Sequence, residues 1–82
     1  MITARQTRAA RALLGWTQET LAEKALVSLT ALKRLESESG LKVYETTRDQ
    51  VRRAFEANGI VFLNSDQGEG VMFVRAKSDS RR

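Results

Sequence analysis

The feature that most constrains this chain is the stretch from Trp16 to Glu36, which has the pattern of two short helices joined by a tight turn. Thr17 and Ser28 are good N-caps, because their side-chain oxygens can accept hydrogen bonds from backbone N–H groups one turn on. Apolar residues recur at helical spacing on either side of Leu26. Helices this short are unstable alone, so each must pack against the other and a third element. The stretch therefore predicts a helix-turn-helix.

The second predicted helix has a buried face and an exposed face. Helical spacing places Ala31, Leu32 and Leu35 in one inward stripe. The residues predicted to face away from the core are Leu29, Thr30, Lys33 and Arg34.

An ordered set of residues along this stretch resembles the DNA-binding domain of phage repressors and Cro proteins, the XRE-type regulators. The set consists of T-Q-x-x-L-A at 17–22, V-S at 27–28 and a helix ending in L-E at 35–36. The resemblance spans about residues 3–58. It implies that the helix at 28–36 lies in the DNA major groove while the preceding helix crosses the DNA backbone.

The turn between the two helices departs from this family at one position. Many relatives have glycine where this chain has Leu26. If the backbone there takes a positive φ, a leucine is strained by roughly 1–2 kcal/mol. Either the turn has a different geometry, or burial of the Leu26 side chain offsets the strain.

The resemblance also implies which residues contact DNA. Gln18 lies in the first turn of its helix, where its amide and free backbone N–H groups can hold a phosphate. Ser28 can donate to a phosphate as well as cap its helix. Leu29 can contact a thymine methyl, and Thr30 can hydrogen-bond to several bases. Lys33 can donate to guanine O6 and N7. The predicted DNA-binding set is Thr17, Gln18, Ser28, Leu29, Thr30, Lys33 and Arg34, with Arg34 reaching either a base or a phosphate.

A first helix is predicted between a capping box formed by Thr3 and Gln6 and a C-cap at Gly15. The arginines at positions 5 and 8 form either a solvated basic face or phosphate contacts. For Arg11, the family resemblance implies a pair with Glu36 instead. Breaking such a partly buried pair would leave an uncompensated charge.

A fourth helix is predicted after a loop in which Gly40 stops the preceding segment. Either Thr46 or Thr47 caps this helix, and Asn58-Gly59 ends it. Its inner face consists of Val51, Ala54 and Phe55. Its outward arginines, at 48, 52 and 53, are interpreted as a solvated face.

The pattern changes from helix to strand after the fourth helix. Residues 60–63 and 71–74 are apolar and rich in β-formers, and the turn-rich segment 64–70 between them predicts a β-hairpin. Both strands are apolar on both faces, so one face would be exposed in a monomer, which favours a homodimer. The alternative is that a tail helix or the Tyr44 loop covers that face. Residues 76–82 are predicted to be a disordered basic tail.

Composition excludes several classes of function. The chain has 82 residues and neither cysteine nor histidine, which excludes disulfides, a cysteine nucleophile, a Ser-His-Asp triad and the usual zinc sites. We therefore expect no enzyme activity, cofactor or metal. No apolar run indicates a signal peptide or membrane helix, so we expect a cytoplasmic protein. The net charge of +4 suits an anionic partner, although much of the excess lies in residues 75–82.

The sequence therefore predicts a mainly α fold, a four- to five-helix repressor-like helix-turn-helix domain with a C-terminal β-hairpin. Residues 1–59 would form the DNA-binding domain, 60–75 the dimerisation hairpin and 76–82 the tail. The predicted function is that of a dimeric repressor or autoregulator that binds a palindromic operator in double-stranded DNA through helix 28–36. The alternative is a module that binds a protein partner, as an antitoxin or antiactivator does. An exposed leucine at 29 and the two-faced hairpin favour that alternative.

Overall fold

We describe the protein from a computed structural model, over residues 2–37 and 42–75. Over these residues four helices precede a two-stranded antiparallel sheet. The elements are α1 (Ala4–Leu14), α2 (Gln18–Ala25), α3 (Leu29–Glu36), α4 (Glu45–Ala57), β1 (Ile60–Ser65) and β2 (Gly68–Phe73). The predicted fold class is confirmed. The predictions for Gly40 and for the tail at 76–82 lie outside the described residues.

The ends of the first three helices follow the local sequence. The side chain of Thr17 accepts from the backbone N–H of Thr20 at 3.0 Å, and that of Ser28 accepts from Ala31 at 3.0 Å. α1 ends at Gly15, whose φ of 69° is left-handed. The N-caps predicted at Thr17 and Ser28 and the C-cap predicted at Gly15 are therefore confirmed.

The turn between α2 and α3 contradicts both expectations for Leu26. Its φ is 59°, so the backbone has the left-handed conformation that suits glycine, and its side chain is 82% exposed. The backbone N–H of Leu26 donates toward the carbonyls of Ala22 and Glu23, which holds the chain in this conformation. The strain of a left-handed leucine is therefore not offset by burial.

The core is centred on Phe55, which is fully buried in α4. Trp16 stacks on it with ring centroids 5.8 Å apart, and Phe62 meets it edge-on at 5.9 Å. This contact makes Trp16 a packing residue of the core. The other buried hydrophobic residues are Ile2, Ala10, Leu21, Ala22, Ala25, Leu32, Leu35, Val51 and Ile60.

The start of α4 was predicted at the wrong residue. The helix begins at Glu45, with Tyr44 in the N-cap position and no side-chain cap. A carboxylate in the first turn complements the helix dipole, and Glu45 also pairs with Arg48 at 3.3 Å. Thr46 and Thr47 therefore lie inside the first turn. The predicted inner face and the end of the helix at residue 58 are confirmed.

The arginines of α4 have partners within the protein. Arg48 donates to the backbone carbonyl of Ile2 at 2.7 Å, so its interpretation as an outward, solvated residue is wrong. Arg52 and Arg53 both pair with Asp49 on the same helix. The hydrogen bond with Asp49 raises the pKa of Arg52. The positive charges of α4 are therefore largely balanced within the helix.

The hairpin has a shorter loop than the sequence predicted. β1 and β2 pair as far as Ser65 and Gly68, which leaves only Asp66 and Gln67 unpaired. The expectation of a loop over 64–70 is therefore wrong, because Asn64 pairs with Glu69 and Ser65 with Gly68.

Gln6 makes the main polar contact between α1 and the hairpin. Its side chain is buried, at 2% exposed, and its amide nitrogen donates to the carbonyls of Leu63 and Gly70 at 3.1 and 2.9 Å. These two residues are cross-strand partners, so one amide contacts both strands. Nearby, the hydroxyl of Thr3 donates to Glu69 at 2.9 Å. The predicted capping box of α1 is present, and its glutamine has this second role.

The two faces of the hairpin differ in burial. Ile60, Phe62 and Val71 pack on the helices. The opposite side, which we call the outer face, consists of residues that are 39–48% exposed, Val61, Leu63, Met72 and Val74. Tyr44 is 68% exposed, and within residues 2–37 and 42–75 no hydrogen bond or ring contact joins it to the hairpin. The exposed apolar face predicted for a monomer is therefore present. None of the described helices is long and apolar enough to cross a membrane.

Candidate nucleic-acid interface

The candidate interface is the exposed side of α3, which is held in place by its buried side. Leu32 and Leu35 lie in the core, at 0% and 2% exposed. Thr30, Lys33 and Arg34 are exposed, as predicted. Since α3 is only eight residues long, this packing, together with the Ser28 cap, fixes the direction of its polar side chains.

The prediction that Leu29 faces away from the core is wrong. Its side chain is half-buried and packs against the core cluster. Leu29 precedes Leu32 by three residues, so it lies at the edge of the buried stripe. Its packing alone therefore accounts for a leucine at this position.

Glu36, the last residue of α3, is the centre of a buried polar cluster. Its carboxylate oxygens accept from Arg11 Nε at 2.7 Å and Arg11 Nη2 at 2.9 Å, which confirms the implied pair. Gln18 donates from Nε2 to Glu36 Oε1 at 3.0 Å. Arg11 also reaches the backbone carbonyl of Trp16, and Arg8 donates to the backbone carbonyl of Glu36. The cluster joins α1, the start of α2 and the end of α3.

The remaining arginines of α1 also have contacts within the protein. Arg5 pairs with Glu69 at 3.4 Å, although its side chain is largely exposed. Arg8 is bound to α3 as described above. Their predicted phosphate contacts therefore compete with contacts that hold α1 to the rest of the fold.

The cations near α3 differ from the paired arginines of α1 and α4 in having no acidic partner among the described residues. Within residues 2–37 and 42–75, no carboxylate forms an ion pair with Lys33, Arg34 or Lys42, whereas α4 and α1 contain five paired arginines. Arg34 and Lys42 line one depression. The other residues around it are Ser28, Thr30, Ala31, Val43, Tyr44 and Thr47.

The predicted set did not include Lys42 and Tyr44, which also line this depression. The segment between α3 and α4 has no periodicity, so nothing in it indicated which side chains lie beside α3. The only available signal was a lysine and an aromatic residue close together in a polar loop. Of the predicted set, Ser28, Thr30 and Arg34 share the depression.

The other predicted site residues lie at the start of α2 or on its contact with α3. The hydroxyl of Thr17 caps the helix and donates to the Thr20 hydroxyl at 3.0 Å. Gln18 is connected through Glu36 to the far end of α3. Whether each of these side chains contacts DNA stays a prediction.

The capped pair α2 and α3, with a buried apolar side and an exposed basic side on α3, defines a helix-turn-helix DNA-binding fold. Residues 8–42 match a family model described as Helix-turn-helix. Residues 8–42 thus carry an XRE-type helix-turn-helix, which supports DNA-binding transcription regulation as the kind of function. No curated protein and no solved structure matches the chain.

Proposed function

We propose that this protein is a homodimeric repressor or autoregulator that acts in the cytoplasm and binds a palindromic operator in double-stranded DNA. In this proposal α3 enters the major groove and α2 crosses the DNA backbone. The observation that carries it is the group of cations without acidic partners, Lys33, Arg34 and Lys42, beside the exposed side of α3. Such cations are available to displace the counterions condensed on DNA.

The side chains of α3 divide into base-reading and phosphate-binding roles in this proposal. Lys33 donates to guanine O6 or N7, and Thr30 serves several bases. Arg34 and Lys42, which share one depression, contact the phosphates that flank the groove. Gln18 donates to a phosphate at the start of α2. Leu29 contributes at most the exposed half of its side chain to a thymine methyl.

The outer face of the hairpin is the proposed dimer contact. Four apolar side chains exposed on one side of a small sheet are a surface that favours association. Burying them in both copies would remove a few hundred Å² of apolar area, which contributes several kcal/mol at ~25 cal/mol per Å² before association costs. A two-fold dimer should place its recognition helices about 34 Å apart, as a palindromic operator requires.

A second function, binding of a protein partner, has its own supporting observation. Leu26 is 82% exposed in a strained conformation, and the outer hairpin face is apolar. An antitoxin or antiactivator would use such surfaces to contact a protein. DNA binding can coexist with this function.

The test combines sedimentation of the full chain with footprinting on operators selected from random DNA. We expect a dimer at micromolar concentration and two protected half-sites related by two-fold symmetry. The dimeric proposal is wrong if the protein is a folded monomer that binds one half-site as well as a full palindrome. A folded protein that selects no DNA sequence would favour the protein-binding function instead.

A further inference from the structure

The hydrogen bond between Gln18 and Glu36 determines which way the Gln18 amide faces. Glu36 is 5% exposed, and its carboxylate is held by two bonds from Arg11. An ionised carboxylate can only accept hydrogen bonds, so it must face the amide nitrogen of Gln18 and not the oxygen. The 3.0 Å contact is of this kind.

This bond uses only one of the two N–H groups on Gln18 Nε2. The second has no acceptor among residues 2–37 and 42–75, and the side chain is half-buried at the surface. It belongs to the first turn of α2, where the positive end of the helix dipole and free backbone N–H groups favour an anion. The amide therefore offers a donor with a fixed position at an anion-binding helix end.

We infer that Glu36 is a positioning residue, whose carboxylate holds the Gln18 amide nitrogen ready to donate to a DNA phosphate. The inference rests on the proposed function, in which Gln18 contacts a phosphate. Glu36 itself is buried and negative, so it does not contact DNA. It acts by restricting the Gln18 rotamer before binding, which removes part of the entropic cost of forming the phosphate contact.

Arg11 completes the arrangement from the other side. Its Nε and Nη2 atoms bind both oxygens of Glu36, and its Nη1 donates to the carbonyl of Trp16 at 3.2 Å. Trp16 directly precedes the N-cap of α2. One guanidinium thus fixes the carboxylate relative to the helix end from which Gln18 projects.

The test is a double-mutant cycle on DNA affinity. Glu36→Gln keeps the size of the side chain, but its amide can donate as well as accept, so Gln18 can turn its oxygen inward. We expect Glu36→Gln to weaken binding about three- to tenfold on operator and random DNA alike, since a phosphate contact carries no sequence information. In a Gln18→Ala background the same substitution should have no further effect. Gln50→Ala, at an exposed position of α4, is the matched control and should leave affinity unchanged.

The outcomes separate the inference from the proposed function. Equal losses from Glu36→Gln in both backgrounds would mean that Glu36 acts only through the fold, and the inference would be overturned while DNA binding stands. The same holds if the parent binds DNA and Gln18→Ala has no effect. A parent that binds no DNA overturns the proposed function and the inference together.

A measurement on the unmodified protein covers the case in which Glu36→Gln does not fold. Nuclear spin relaxation of the side-chain amides reports their mobility before DNA is added. We expect the Gln18 amide to be more rigid than those of Gln50 and Gln67, both of which are exposed. If all three are equally mobile, Glu36 does not position Gln18 and the inference fails.

Discussion

The helix-turn-helix and the hairpin differ in how completely they bury their apolar side chains. In α2 and α3 the inward leucines Leu21, Leu32 and Leu35 are all buried, and most of the outward residues are polar or charged. In the hairpin Ile60 is buried on one face, whereas the outer face remains apolar and exposed. The difference indicates that α3 is suited to a polar, anionic partner and the outer hairpin face to an apolar one. A substitution on the exposed side of α3 should therefore leave the proposed dimer contact intact.

The largest expected effect separates the two faces of the hairpin. Phe62→Lys should lower the free energy of unfolding by about 3–5 kcal/mol, because Phe62 packs edge-on against Phe55 and a lysine there loses this packing. Leu63→Lys, on the outer face, should change monomer stability by less than about 1 kcal/mol. Urea denaturation followed by circular dichroism, at a concentration where the parent is monomeric, measures both. Similar losses would show that the outer face also supports the fold.

A second prediction concerns the junction between α4 and the hairpin. Gly59 has φ of 95°, and an added Cβ would lie 2.8 Å from the carbonyl oxygen of Val74. Gly59→Ala should therefore cost about 2–4 kcal/mol from strain and overlap combined. Gly15→Ala is the matched control, because Gly15 is also left-handed but has no atom within 4 Å of the added Cβ. Gly15→Ala should cost about 1 kcal/mol of stability. If thermal denaturation gives equal costs for the two substitutions, overlap with the Val74 carbonyl oxygen does not contribute.

A third prediction tests α3 without altering the hairpin. Lys33→Ala should weaken operator binding by about 1–3 kcal/mol and random-DNA binding much less. Gln18→Ala should weaken both by similar factors, since its proposed partner is a phosphate. Fluorescence anisotropy titrations on the two DNAs measure this contrast, and sedimentation should show an unchanged oligomeric state. Equal losses on both DNAs for Lys33→Ala would remove Lys33 from the base-reading residues.

The smallest expected effect is a gain in stability at the turn. Leu26→Gly should raise the free energy of unfolding by roughly 0.5–1 kcal/mol, because it releases left-handed strain while adding some entropy to the unfolded chain. Leu13→Gly makes the same change at another exposed leucine, within α1, and should cost about 1 kcal/mol. Shifts of opposite sign in the thermal midpoint are expected. A loss at both positions would mean that Leu26 makes a stabilising contact in solution.

The parts of the fold that the sequence predicted depend on residues close together in the chain. Thr17, Ser28 and Gly15 act on backbone groups within one turn, so their roles are visible in a short window. The start of α4 and the length of the hairpin loop were mispredicted. The paired part of the hairpin has partners far along the chain, since Gln6 binds the carbonyls of Leu63 and Gly70, whereas the start of α4 has a local signal in Glu45, three residues before Arg48.

The site was predictable to a similar degree. The outward positions of Thr30, Lys33 and Arg34 followed from helical periodicity, and the Arg11–Glu36 pair followed from the family resemblance. Leu29 was misplaced because a periodic pattern does not resolve the edge of a buried stripe. The contact between Gln18 and Glu36 could not be found from sequence, because it depends on the angle at which α2 and α3 cross.

The buried amide of Gln6 also bears on how the protein forms in the cell. α1 is synthesised before the hairpin, and the carbonyl acceptors of Gln6 lie 57 and 64 residues further along the chain. At ribosomal rates of ~5–20 residues per second, several seconds separate the donor from its acceptors. During that interval the end of α1 that carries Gln6 lacks the hairpin carbonyls that bind this amide. We therefore expect a nascent chain stopped before β2 to leave this end of α1 accessible to proteases and chaperones, even though its capping box is already encoded.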